Sequence, residues 1–343
     1  MENLGLTSYF ANGIGLKKIV TLFLFFIVAI LASAAWMFQW AKTPLVQDGA
    51  SLEFTIKPGS SIRSASNQMA QAGLPIQPFL FEVLARVSGK AGSLKAGSFE
   101  LQVNETPRDL LKKMVEGKFS VASISIIEGW NFRQMRHAID ANPNLKHDTA
   151  GISDQALLEK IGSKYVHPEG LFFPDTYLFA KNSSDVQLYQ QAHQALLTHL
   201  AQVWAKRAEN LPYKEAYQAL IMASIVEKET GQASERALIA AVFVNRLKVG
   251  MLLQTDPTVI YGMGEHFQGN IRKADLLRDT PYNTYTRVGL PPTPIALAGM
   301  ASLNAALNPA LSNAYYFVAR GNGTSQFSAT LDEHNRAVNK FQR

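Results

Sequence analysis

Between residues 19 and 41 the chain carries no charge, and only Thr21, Ser33 and Gln39 interrupt the apolar side chains. About 22 residues of helix rise roughly 33 Å, enough to cross a hydrocarbon layer of about 30 Å. Lys17 and Lys18 precede the run, while Trp36, Trp40 and Lys42 mark its far end as an interfacial belt would. Two lysines before the run against one after it favour a cytoplasmic N-terminus. The alternative is a cleaved signal peptide, for which Ala32, Ser33, Ala34 and Ala35 offer small residues. The run is, however, longer than the usual apolar region of about 7–15 residues in a signal peptide, and it stays apolar through Trp40. The expected organisation is therefore a cytoplasmic stretch 1–18 and a transmembrane helix 19–41, with all later residues outside the cytoplasm.

Further along, the periodicity changes repeatedly. Residues 42–51 are polar with Pro44 and Gly49, and read as a tether. A strand at 52–56 is followed by the turn Lys57-Pro58-Gly59-Ser60, then by a helix ending at Gln71 before Gly73 and Pro75. A second helix covers 78–87, and a strand covers 98–103. Thr106-Pro107-Arg108-Asp109 has the form of a helix start, with Thr as N-cap, Pro at N1 and Asp at N3, and Gly117 as its stop. Residues 120–127 alternate like a half-buried strand. Residues 52–118 thus form a small α+β module. Residues 131–210 read as mainly helical, broken by an aromatic loop at 167–177. Two strong helices follow near 214–229 and 234–249. A long Gly/Pro/Tyr-rich segment runs to Pro294, then a helix at 296–307 and a strand pair near 315–319 and 324–329. The fold class is α+β, with no internal repeat.

The chain has 343 residues, 47% hydrophobic and 17% charged, with no cysteine and a net charge of +6. This excludes a disordered chain, a collagen-like repeat and a disulfide-stapled mini-protein. It also excludes thiolate catalysis, zinc ribbons and iron–sulfur ligation. The positive balance is too mild to indicate a nucleic-acid partner. HExxH, P-loop, GxGxxG, GxSxG and SxxK motifs are all absent, and the seven histidines show no ligand spacing. No metal and no cofactor is expected.

The most informative segment is 221–231, IMASIVEKETG. Glu227 and Glu229 stand two residues apart, so on a helix they point about 200° apart and do not share one task. The same-face neighbours of Glu229 are Val226, Ile225, Met222 and Ile221, all apolar, whereas Glu227 lies over Ser224, Ala223 and Leu220. A carboxyl on an apolar stripe loses solvation, which favours its protonated form and suits a general acid. The alternatives are that Glu229 frays into solvent before Gly231 or pairs with Arg236. The next helix has eight consecutive apolar residues, 237–244, and reads as a buried platform behind the first, with Asn245 and Arg246 structural. Beyond it, Gln254, Thr255, Asp256 and Thr258 crowd a short stretch closed by Pro257. Tyr282-Asn283-Thr284-Tyr285-Thr286 and the segment 289–294 again set hydroxyls and amides between rings. Such surfaces suit carbohydrate; the alternative is an ordinary capped loop.

Together ASIVEKET (223–230), VFVNRL (242–247), LQTDPTVIYG (253–262), YNTY (282–285), GLPP (289–292) and the C-terminal FVA…HN (317–335) resemble the YceG-like, or MltG, family of endolytic murein transglycosylases. EGLFFPDTY (169–177) and KAGSFEL (95–101) extend the resemblance over essentially the whole chain. It implies a single-pass inner-membrane protein with a LysM-like module at 52–118 and a catalytic domain at 119–343, the latter mixed and mainly helical. It implies Glu229 as the catalytic acid, cutting the MurNAc–GlcNAc β-1,4 bond within nascent glycan strands to leave 1,6-anhydro ends and terminate elongation. Gln254, Asp256, Tyr282 and Asn283 are the candidate substrate contacts. The expected partners are glycan strands, inner-membrane lipid around 19–41 and peptidoglycan synthases. Two other functions compete with this one: a lysozyme-type hydrolase pairing Glu229 with Asp256 or Asp175, and a non-enzymatic wall-binding adaptor.

Overall fold

The computed structural model describes residues 13–48 and 50–342. Residues 1–12 of the expected cytoplasmic stretch lie outside them. The chain divides into two compact units, Met1–Val121 and Ala122–Arg343.

In the first unit, helix α1 (Gly13–Trp40) contains the stretch Lys17–Trp40, with mean hydropathy 2.6 and none of it buried. Leu22, Phe25 and Leu31 stand exposed on it. It is long and apolar enough to cross a membrane. The residues after it do not form a free tether throughout: Leu45 N donates to Glu105 O at 2.9 Å, and Asn104 N donates to Val46 O at 2.8 Å. Then come β1 (Leu52–Ile56), α2 (Ile62–Gln71), α3 (Pro78–Val87), β2 (Gly97–Leu101) and α4 (Pro107–Glu116). β1 and β2 pair antiparallel with Phe54 opposite Phe99, and those rings stack at 5.7 Å. With Ile62, Met69, Phe81, Leu110 and Met114 they form one apolar core. The N-terminus of α4 carries a full capping box between Thr106 and Asp109, and the helix stops at left-handed Gly117.

The second unit starts from β3 (Val121–Ser125), which pairs with β5 (Thr176–Ala180). Between them lie α5 (Phe132–Asp140), β4 (Leu145–Lys146) and α6 (Asp154–Lys160). The short β6 (Ser183–Ser184) runs parallel to β4 and leads into α7 (Asp185–Ala205). The centre is built from α7, α8 (Ala216–Glu229), α9 (Arg236–Lys248) and, later in the chain, α12 (Met300–Leu307); α8 packs against the other three. Between α9 and α12 come α10 (Asp256–Met263), a single 3-10 turn and α11 (Lys273–Leu277). The hairpin β7 (Tyr316–Ala319) and β8 (Ser325–Ser328) and helix α13 (Leu331–Phe341) close the chain.

Several elements depart from the sequence expectation, among them α10 and α11, which form within the segment expected to be Gly/Pro/Tyr-rich loop. The helix expected from residue 296 begins only at Met300, because the preceding backbone is already committed. Ile295 N donates to Ser224 Oγ (3.0 Å), Leu297 N to Trp130 O (2.7 Å) and Gly299 N to Glu227 Oε2 (3.0 Å). The aromatic loop runs directly into β5, with Tyr177 and Phe179 buried in alternation, where the sequence suggests the end of the loop and then helix. Helix α13 was not expected, although its capping box between Thr330 and Glu333 was visible as Thr-x-x-Glu.

Candidate active site

Glu229 is the last residue of α8; Thr230 takes extended backbone and ends the helix. Every residue from Ala219 to Val226 is buried, so α8 is a rigid post with the carboxyl at its tip. Burial pushes the Glu229 carboxyl above its usual range, and the negative charge of Asp256 adds to this; the Thr255 hydroxyl opposes it. Thr255 Oγ1 donates to Glu229 Oε1. Among the described residues no hydrogen bond reaches Oε2.

The other half of the EKE pair does different work. Glu227 accepts from Gly299 N at 3.0 Å and faces Arg236 Nη2 at 3.8 Å. Arg236 thus pairs with Glu227, and the alternative pairing with Glu229 is not the one formed. The Glu227 side chain is only 6% exposed. The milder-looking face of the helix is therefore well covered, because the segment 295–299 lies along it.

A second layer holds the neighbours of Glu229. Arg246 donates to the carbonyls of Leu252 (3.1 Å), Leu253 (2.9 Å) and Tyr315 (2.6 Å), and Asn245 donates to Ser312 O and Ala314 O. Both residues are structural, as expected. They fix the turn that leads into Gln254, whose φ of +50° is a left-handed conformation that non-glycine residues rarely hold. Gln254 N donates to Thr284 O (3.1 Å), Thr255 N donates to Thr284 Oγ1 (3.1 Å), and the Thr258 and Thr284 hydroxyls share a bond of 2.9 Å. The turn before α10 and the 282–286 loop therefore form one clamp.

Of the residues singled out for substrate contact, Gln254 and Asp256 are exposed beside Glu229. Asp256 Oδ1 accepts from Tyr285 OH at 2.6 Å. Tyr282 is half-buried; its hydroxyl bonds Thr293 Oγ1 at 2.8 Å, and its ring meets Tyr261 edge-on at 4.8 Å. Asn283 behaves otherwise. It is fully buried, its Nδ2 donates to the carbonyls of Leu276 (3.0 Å) and Arg278 (2.7 Å), and its Oδ1 accepts from Tyr285 N (2.8 Å). Its amide is spent on holding the loop, so it has no group to offer a sugar. Asp175 lies at the start of β5, where its backbone oxygen accepts from Ile126 N and its side chain accepts from Thr176 N.

Three further residues stand at or near Glu229 that the sequence does not single out as site candidates. Thr255 and Tyr285 sit inside motifs already noticed, and the fold selects them over their neighbours. Glu169 opens the aromatic loop. It is buried, and burial raises its carboxyl to about 7. It accepts from Phe132 N (3.0 Å) and from Tyr261 OH (3.0 Å). Its place before a Gly-Leu-Phe-Phe run was the one available signal that it is buried.

One group among the described residues has ligand-like spacing: atoms of Asp140, His147 and Asp185 lie within 4.8 Å of one another. Asp185 already accepts from Asp148 N (3.0 Å), Thr149 N (3.2 Å) and Thr149 Oγ1 (2.6 Å), which explains it as the tie between α7 and the turn before α6.

The YceG-like family matches residues 54–340. An endolytic murein transglycosylase of Bacillus subtilis is 32% identical over 317 residues, covering 87% of each chain. An endolytic murein transglycosylase of Streptococcus pneumoniae is 27% identical over 94% of this chain, which spans 65% of that relative's length. The crystal structure of a YceG-like protein from Listeria monocytogenes is 33% identical, with a TM-score of 0.53 over 83% of this chain and 98% of that one. The chain belongs to the YceG-like family.

Proposed function

We propose that this chain cleaves the MurNAc–GlcNAc β-1,4 bond within nascent peptidoglycan strands, with Glu229 as the single group that moves the proton. The chain is a peptidoglycan lytic transglycosylase. The observation that carries the mechanism is the isolation of Glu229: a desolvated carboxyl at a helix tip with one oxygen held by Thr255 and the other unengaged. Glu229 Oε2 gives its proton to the glycosidic oxygen as the bond to C1 of MurNAc breaks. The carboxylate then takes the proton of the sugar's own 6-hydroxyl, whose oxygen bonds to C1 and closes a 1,6-anhydro ring. The proton count balances and no water is consumed. Asp256 faces the developing positive charge at C1 and stabilises it as a charge, while its Oδ1 stays bonded to Tyr285. Gln254 and Tyr282 flank the cleft as sugar contacts, and Asn283 supports them from beneath.

The apolar run 19–41 anchors the protein in the inner membrane, with residues 1–18 cytoplasmic and the enzyme outside. The β-α-α-β order of β1, α2, α3 and β2 supports a LysM-like, wall-binding role for residues 52–118. Such an anchor supports cleavage at the membrane face, close to peptidoglycan synthases, with strand termination as its outcome.

The pH profile of glycan cleavage tests the acid. Wild type should lose activity only well above the ordinary carboxylate range. Asp256→Asn removes the negative charge that helps keep Glu229 protonated, so its alkaline limb should move to lower pH. An unmoved limb removes Asp256 from the environment of the acid, and no cleavage by wild type at any pH would favour the adaptor function.

A further inference from the structure

α10 is held at both ends. Its first turn carries Thr255 and Asp256 against Glu229; its last carries Tyr261 against Glu169. Glu169 is held in turn by Phe132 N at the start of α5. On its other side Gly170 is left-handed, with φ +74°, and packs on Pro294. From Tyr261 the contacts continue: its ring meets Tyr282, the Tyr282 hydroxyl bonds Thr293 Oγ1, and Thr293 Oγ1 donates to Pro294 O at 2.8 Å. A buried carboxyl thus ties the 169–170 turn, the end of α10 and the 282–294 loop into one unit, on the opposite end of the helix from the chemistry.

We propose that Glu169 is a positioning residue for the reaction, which acts through the Tyr261 hydroxyl to hold α10 and hence the Thr255–Asp256 turn around Glu229, and that it does so in its neutral form. The proposal rests on Glu229 being the acid. As a carboxylate Glu169 only accepts, and Tyr261 must donate to it. As a carboxylic acid it can donate to the Tyr261 oxygen instead, so the contact is kept without a buried charge. Burial opposes the ionised form, and against it stand the Tyr261 hydroxyl, the N–H groups of Phe132 and Gly170 and the Arg133 charge. The charged and titratable groups that reach Glu169 are Arg133 from α5, Tyr261 from α10 and Tyr217 from α8. Arg133 is engaged by Glu265, and both tyrosines are neutral, with Tyr217 raised to about 12. Burial accordingly raises the Glu169 carboxyl to about 7. Ionisation near or above neutral pH would loosen α10 and, with it, the acid.

The test uses the full chain in detergent. Melting temperature is followed from pH 5 to 8 in Glu229→Gln, which removes the other raised carboxyl, with and without Glu169→Gln, which fixes the neutral form. The single variant should lose several degrees across this range, and the double variant less than half as much. In active protein, wild-type kcat/KM should fall with two protons at high pH and that of Glu169→Gln with one. Tyr261→Phe, which keeps the ring on Tyr282 but removes the hydroxyl, should lower kcat about tenfold with KM within about twofold. Superimposable melting profiles, or an unchanged slope in Glu169→Gln, overturn the proposal. The melting comparison does not use the role of Glu229, so a cleaving Glu229→Gln enzyme would sink that assignment separately.

Discussion

Glu229→Gln should reduce glycan cleavage by about 10⁴-fold, at the upper end of what one acid–base group contributes, because the same carboxyl serves both proton transfers. This equals about 5.5 kcal/mol of barrier. The substitution keeps size and shape, and Thr255 still finds an oxygen to donate to. Stability should move the other way. Burial raises the Glu229 carboxyl in the folded state above its ordinary value of 4.5. A group shifted in that direction contributes fully to folding below the unfolded value, and its contribution is lost as pH rises through the folded one. At neutral and higher pH the neutral glutamine should therefore melt at the same temperature as wild type or higher. Release of soluble fragments from glycan strands, alongside thermal melting, checks both parts. A variant that cleaves at wild-type rate removes Glu229 from the mechanism; one that loses activity and also melts lower points to a structural role.

Gly170→Ala should be the most damaging small substitution near the site. Gly170 has φ +74°, and a Cβ there would lie 2.6 Å from Pro294 Cγ and 3.3 Å from Ala296 O. The left-handed backbone costs an alanine about 1–2 kcal/mol, and overpacking costs about 1–3 kcal/mol. A total of about 3 kcal/mol corresponds to a fall of about 9 °C in Tm for a unit of this size. Pro294 is covalently next to Ile295, whose N–H is bound by Ser224 of α8, so the backbone cannot simply move aside. Circular dichroism melting measures it. A shift under about 2 °C would mean that the 169–170 turn relaxes freely and holds nothing in place.

Much of this was legible from the chain alone, for identifiable reasons. The apolar N-terminal helix, α2, α3, α4, α8 and α9 announce themselves through hydropathy, caps and stops, all of which are local. The desolvation of Glu229 is legible because its four same-face neighbours are apolar, and a helix tip exposes that pattern directly. Residues 295–299 were misread because their partners, Ser224, Glu227 and Trp130, are more than 70 residues away, and an apolar run without a cap looks like helix. Asn283 was assigned to substrate because an amide between two tyrosines looks like a sugar contact. Only the fold reveals that three backbone carbonyls, at Asp275 and Leu276 of α11 and at Arg278 just after it, lie within reach of its Nδ2. Glu169 was passed over because nothing in EGLFFPDTY shows that its glutamate meets Tyr261, 92 residues further on.

The central claim is that bond cleavage closes a ring within the sugar and that water is not the acceptor. Purified glycan strands digested by the protein from Thr43 onward, with the new ends identified by mass spectrometry, decide it. Fragments ending in 1,6-anhydroMurNAc, 18 Da lighter than the hydrolysis product through the loss of one water, are the predicted result. Reducing MurNAc ends would contradict it and would return the site to a two-carboxylate hydrolase with Asp256 as partner.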